Sequence, residues 1–131
     1  MSNPGYVYFM TNIKRTTLYI GVTNDLIRRV CEHKTHKIKN SFSDKYNLEY
    51  CIYFEEFPHF YLTIQREKEL KKWNRKKKEA LINKANPEWK ELVNEYGFIR
   101  NKETFTHKVA SALGEIGFVN PMKPDSSVPS E

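Results

Sequence analysis

The spacing of hydrophobic positions changes along the chain, from a period of two near the start to a helical period later. Residues 6–10 (YVYFM) and 18–21 (LYIG) are rich in aromatic and β-branched side chains, which predicts two short strands. The polar stretch TNIKRTT between them suits a hairpin loop. With Tyr8 opposite Tyr19, Tyr6 faces Gly21 and Met10 faces Thr17. Alternation then places Tyr6, Tyr8 and Tyr19 on one face. Val7, Phe9, Leu18 and Ile20 share the other, the natural core side.

Thr23, Asn24 and Asp25 are good helix starters, and the pattern after them predicts a helix over 25–35. Its apolar stripe holds Leu26, Val30 and His33. Residues 34–47 are polar and basic and read as a loop. The stretch 48–55 alternates Leu48, Tyr50, Ile52 and Phe54 against Glu49, Cys51, Tyr53 and Glu55, a third strand with one buried face. Pro58 ends it. A helix over 59–73 follows, with Ile64, Leu70 and Trp73 at helical spacings, and 76–85 continues it or forms a second one. Asn86-Pro87-Glu88 has the chemistry of a fresh helix start, with Trp89, Leu92, Val93 and Tyr96 as its stripe and Gly97 as its end. Residues 98–117 have space for one more short helix, and 120–131 are rich in Pro and Ser, as in a flexible tail. The expected class is α+β, a small three-stranded, mostly antiparallel sheet flanked by helices. The expected organisation is a domain over 1–97, an extension over 98–119 and the tail.

At 131 residues the chain fits one domain. Its formal net charge of +6 favours polyanionic partners, because Lys and Arg release counterions from phosphate chains. Basicity does not distinguish binding from cutting. Two cysteines make no disulfide framework, no N-terminal segment resembles a signal peptide and no apolar run approaches the ~20 residues of a membrane span. A soluble, cytoplasmic protein with reduced thiols and no membrane partner is expected.

Several side chains carry chemistry. Two tyrosines on adjacent strands bring two phenols together, and a phenol donates, accepts or, when deprotonated, acts as a base. Aromatic pairs also simply stabilise sheets. Arg29 and His33, four apart on a helix, pair a guanidinium suited to phosphate oxygens with an imidazole that can move protons. Arg28 and Glu32 have the same spacing and fit an ordinary surface ion pair. Glu67 lies at the border of an apolar stripe, where its carboxylate calls for a divalent cation or a local salt bridge to Lys71. Glu69 fits ordinary surface pairing. Eight basic residues lie between Arg66 and Lys78, around Trp73. Within them Lys71, Lys72 and Arg75 are candidate nucleic-acid contacts, as are Lys34, Lys37 and Lys39 earlier. The cysteines and histidines show no zinc-ligand spacing.

These pieces in this order resemble the GIY-YIG nuclease superfamily. The second signature stands intact as Tyr19-Ile20-Gly21. The first is Tyr6-Val7-Tyr8, with Tyr6 where the glycine is usual and Tyr8 at the tyrosine position. Arg29 follows Gly21 by eight residues, His33 comes one turn later, and Glu67 sits in REKELKKW. The stretches YIGVTNDLIRRVCEHK and REKELKKW look like the small, bacterial, single-domain branch. The resemblance covers roughly residues 5–96. It implies an endonuclease in which Glu67 holds one divalent metal, Mg²⁺ or Mn²⁺, at the scissile phosphate. Tyr8 would act with a water as general base, and Tyr19 and Arg29 would position the nucleophile and stabilise charge. A phenol with an ordinary pKa of ~10 is a demanding base, so a neighbouring metal and Arg29 would have to lower it, or His33 would share its proton. Asn86 is the nearest match to an asparagine common after the glutamate helix, although a capping role explains it equally. The implied partner is nucleic acid, with DNA favoured and a repair-type, structure-selective role in view. Small members lack the added DNA-targeting domain of larger ones, so either a modest affinity or a protein partner that supplies the targeting is expected. The competing readings are a nucleic-acid-binding module that has lost cleavage, and a protein-interaction domain.

Overall fold

The computed structural model describes residues 3–94, 96–97, 99–100 and 102–115. The expected tail over 120–131 lies outside the described residues. The elements run β1 (Gly5–Thr11), β2 (Leu18–Thr23), α1 (Leu26–Lys34), α2 (Phe42–Tyr46), β3 (Tyr50–Phe57), α3 (Phe60–Lys72), α4 (Arg75–Ala85) and α5 (Lys102–Glu115). The strands form one antiparallel sheet in the order β2-β1-β3, flanked by helices, so the α+β class and the three-stranded sheet hold.

The hairpin register differs from the expected one by two residues. Tyr8 pairs with Gly21, Met10 with Tyr19 and Tyr6 with Thr23. A slip of two keeps the alternation, so Tyr6, Tyr8 and Tyr19 still share a face. Placing the core on the other face alone was wrong. β1 is the central strand, and Val7, Tyr8, Phe9 and Met10 are all buried. Helices cover the sheet on both sides, which erases the one-sided burial of a half-exposed strand. For the same reason β3 is buried continuously from Cys51 to Glu55 rather than on one face. Its pairing with β1 slips between Phe9 and Met10, so Ile52 is an extra residue and β3 bends there.

α1 buries Leu26, Val30 and His33, the stripe its spacing gives, and Asp25 caps it by accepting from the Arg28 amide. It covers the tyrosine face. α3 covers the other, where Gly5 approaches it so closely that a Cβ would lie 2.4 Å from Thr63 Oγ1. Its buried stripe is Leu62, Thr63, Arg66 and Leu70, while Ile64 is exposed. The stripe expected from Ile64, Leu70 and Trp73 is rotated because a charged residue fills the core position. Arg66 is 1% exposed and reaches Glu55 on β3 through Nε at 2.8 Å and Nη2 at 3.0 Å. Its Nη1 meets Glu69 at 2.7 Å, and the Tyr53 hydroxyl donates to Glu55 at 2.6 Å. Burial opposes the Arg66 charge, and the two carboxylates more than restore it. Arg66 thus leaves the basic surface run and joins the interior.

Residues 34–47 are not wholly loop. Ser41 caps the short helix α2, and Asn47 closes it in the left-handed region, which asparagine tolerates. Asn86-Pro87-Glu88 starts no helix. Asn86 ends α4 instead, and its amide donates to the Ile52 and Lys90 carbonyls at 2.9 Å each. Trp89 has a positive φ of 51°, and Leu92 donates its amide to the Cys51 carbonyl, so this segment runs along the β3 edge. Backbone pairing with the sheet outcompetes a helix whose local signals were good. Leu92 and Val93 are buried and Tyr96 is exposed. α5 is the further helix, and its Phe105 packs on Tyr53 and Phe54.

Removing one partner of the Glu55–Arg66 pair strands the other charge in the interior. Arg66→Leu should therefore destabilise the fold by about 3–5 kcal/mol in urea denaturation. The double variant Glu55→Gln/Arg66→Met should recover much of that loss. Equal losses in single and double variants would refute the pairing.

Candidate active site

Tyr8 projects from the central strand towards α1. Its hydroxyl lies 2.9 Å from His33 Nε2, and both groups are buried. His33 Nδ1 lies 2.5 Å from Ser43 Oγ on α2, and that hydroxyl reaches the Leu48 carbonyl at 3.4 Å. Burial, reinforced by Arg29, lowers the His33 pKa to about 4, so the imidazole is neutral at neutral pH. One proton arrangement then satisfies the chain. The Tyr8 hydroxyl donates to Nε2, Nδ1–H donates to Ser43 Oγ, and Ser43 donates to Leu48. Burial, and next the neighbouring Tyr19, push the Tyr8 phenol far above its ordinary range, and Arg29 opposes them.

Tyr19 stands beside this chain, its ring centroid 6.4 Å from that of Tyr8 and 5.7 Å from that of His33. Gly21 makes the packing feasible. A Cβ there would sit 2.6 Å from Tyr8 Oη and 2.9 Å from Tyr19 Cε2. The glycine of the Tyr19-Ile20-Gly21 signature is thus required by the two phenols it separates. Arg29 lies on the same side, 3.5 Å from Glu32 Oε1 through Nε. That nitrogen is buried beside the Glu32 carboxylate, and Arg29 as a whole stands in the cleft wall, where a guanidinium can meet a phosphate oxygen. Tyr19, Arg29, Glu32, His33, Phe42 and Asp44 wall an open cleft.

The structure therefore brings Tyr8, Tyr19, Arg29 and His33 together. Glu67 is not part of that cluster. It lies on α3, which packs against β1 and the edge strand β2, and its carboxylate pairs with Lys71 at 2.8 Å. Among the described residues no group of three or more His, Cys, Asp and Glu side chains converges on a metal position. Glu67 is 17% exposed and is a hard oxygen donor, which fits Mg²⁺ held by one carboxylate with water and phosphate oxygens. Asn86 is consumed by backbone hydrogen bonds. Lys34 is engaged by Glu91 and the Glu49 carbonyl. Lys37, Lys39 and Lys72 are exposed, and Arg75 pairs with Glu79 at 2.7 Å. Arg28–Glu32 is the surface pair its spacing implied.

Ser43 escaped sequence reasoning because 34–47 read as loop. The Ser41-to-Asp44 cap, in which Ser41 Oγ accepts from the Asp44 amide, was the available signal. His36 was also overlooked. It sits between Asp44 at 2.8 Å and Glu49 at 2.5 Å, and its hydrogen bonds to Glu49 and then Asp44 raise its pKa. It ties α2 to the start of β3.

Residues 4–80 match the model of the GIY-YIG catalytic domain. The chain belongs to the GIY-YIG nuclease superfamily. The match spans more than half of the chain and includes Tyr8, Tyr19, Arg29, His33 and Glu67, while Asn86 and α5 lie beyond it. Comparison with curated proteins and with solved structures gave no significant match.

Two outcomes test this geometry. Gly21→Ala forces the tyrosines apart and should cost about 1–3 kcal/mol, read as a lowered Tm. For His33 the folded pKa is depressed, so the unfolded state takes up the proton first as pH falls from 6.5 towards 4. The unfolding free energy of wild type should drop relative to His33→Gln by about 3 kcal/mol between pH 7 and pH 4. Parallel pH profiles for the two proteins would contradict a neutral, buried imidazole.

Proposed function

We propose that this protein is a metal-dependent endonuclease that hydrolyses phosphodiester bonds in DNA, on branched, flapped or single-stranded structures of the kind met in repair. The observation that carries the reading is the Tyr8–His33–Ser43 hydrogen-bond chain beside Arg29 and Tyr19 in the cleft wall. Burial makes a free Tyr8 phenolate costly, so Tyr8 gives up its proton only as it accepts another. The attacking water passes a proton to the Tyr8 oxygen while the phenol proton moves to His33 Nε2. The resulting imidazolium, which burial disfavours, is transient; it stays hydrogen-bonded through Nδ1 to Ser43 and returns its proton through Tyr8 to solvent. The new hydroxide attacks phosphorus, the bond to the 3′ oxygen breaks, and that oxygen leaves as an alkoxide that takes a proton from water. Arg29 donates to a non-bridging phosphate oxygen as charge builds there. Tyr19 orients the water from the cleft wall.

Glu67 would hold the divalent cation, Mg²⁺ or Mn²⁺, after parting from Lys71. When bound, that ion supplies Lewis-acid polarisation of the phosphate and the leaving oxygen. Exposed Lys37, Lys39 and Lys72, with Lys71 released, extend the phosphate contacts along the backbone, and Lys34 and Arg75 border them. Cys31 and Cys51 are free thiols, which suits a reducing, cytoplasmic setting. Among the described residues no helix is long and apolar enough to cross a membrane.

The purified protein is expected to nick flapped, branched or single-stranded DNA with Mg²⁺ or Mn²⁺ and to stop on chelation. Tyr8→Phe should lower the rate by roughly 10²–10⁴-fold, and Glu67→Gln should be equally deleterious. Undiminished cleavage by Glu67→Gln would remove that residue from the site. No cleavage of any DNA with either metal would leave a nucleic-acid-binding module.

A further inference from the structure

Beside the cleft, α2 carries a row of rings that the catalytic reading does not use. Phe42 and Tyr46 are each 49% exposed, and their ring centroids are 4.6 Å apart. Phe42 in turn stacks on Tyr19, with centroids at 6.0 Å and planes inclined by 27°. The row therefore runs from the outer surface to the cleft wall. Ile38 adds a further exposed apolar side chain at 54%. Large apolar groups gathered in one short segment are costly in water unless something covers them. The segment is also braced. His36 is held by Asp44 and Glu49, Ser43 is bound to His33, and the Asn40 amide donates to Asp44. A held row of rings loses little entropy when a flat ligand settles on it.

Charge selects the occupant. Lys37, Lys39 and Lys45 are exposed on the same segment, and Arg29 lies in the adjoining cleft. A cationic rim around half-exposed aromatic rings suits a ligand that alternates flat rings with negative charges. An unpaired nucleotide strand has that form, whereas duplex bases are hidden in their stack. A neutral apolar peptide would gain nothing from the lysines.

We propose that Tyr46, Phe42 and Tyr19 form a stacking platform for unpaired bases of a DNA strand whose backbone enters the cleft. The platform makes the site selective for single-stranded or flapped DNA. The proposal rests on the nuclease reading and adds the residues that choose the strand.

The test uses single-stranded oligonucleotides carrying 2-aminopurine at successive positions, with Glu67→Gln as the background to prevent cleavage. Stacking on the platform should quench fluorescence at one or two positions on binding. Phe42→Leu and Tyr46→Leu should each remove the quench and weaken single-strand affinity by about 10-fold to 100-fold, with duplex affinity little changed. Phe42→Tyr should restore both. Tyr46 stands at the end of the row away from His33 and Ser43, so its variant decides the matter if Phe42→Leu disturbs α2. Wild-type quench and affinity in Tyr46→Leu would overturn the platform while leaving the nuclease intact. Failure of the native protein to bind or cleave any DNA would overturn both.

Discussion

A buried phenol and a buried imidazole need each other here. Tyr8 and His33 are both buried, so the hydrogen bond between them fixes how the central strand meets α1. The second imidazole nitrogen then needs a partner, and Ser43 supplies it from α2. One chain of polar contacts thus aligns β1, α1 and α2 around the cleft. Gly21 completes the constraint by leaving space for both phenols. The same burial that demands these bonds keeps His33 neutral, which lets the chain hold a proton acceptor behind Tyr8.

The other face of the sheet is organised by charge rather than by aliphatic packing alone. Glu55 on β3 and Arg66 on α3 are both buried and bind each other in a two-point contact. That contact sets the rotation of α3, and with it the position of Glu67 one residue on. A rotation by one residue (about 100° around the axis) would change which side chains α3 buries and would move Glu67 with them. The structural Glu55–Arg66 ion pair and the candidate metal ligand are therefore linked through helix phase.

Residue patterns made much of this legible. The hairpin, α1 with its buried Leu26, Val30 and His33, the third strand and the helix after Pro58 follow from local signals, which leave open the break that separates α3 from α4. The signatures at Tyr6–Tyr8 and Tyr19–Gly21, with Arg29, His33 and Glu67 beyond, pointed to the family that residues 4–80 match. Several readings failed, three of them for reasons that show the limit of local signals. The hairpin slipped by two because alternation fixes faces but not register. The Asn86 helix start lost to backbone pairing with β3. Arg66 looked like surface because its carboxylate partner lies eleven residues away on another element.

The sequence by itself determined which strand side chains share a face, where α1 begins, and the signatures of the family that residues 4–80 match. Periodicity and capping are local, and they act within a few residues. Tertiary structure alone decided that both faces of the sheet are covered, and that Ser43 sits under His33. It also decided that Phe42 and Tyr46 extend the ring row from Tyr19. Those facts depend on contacts between elements far apart in the chain, and no local pattern encodes the distance at which two such elements come to rest.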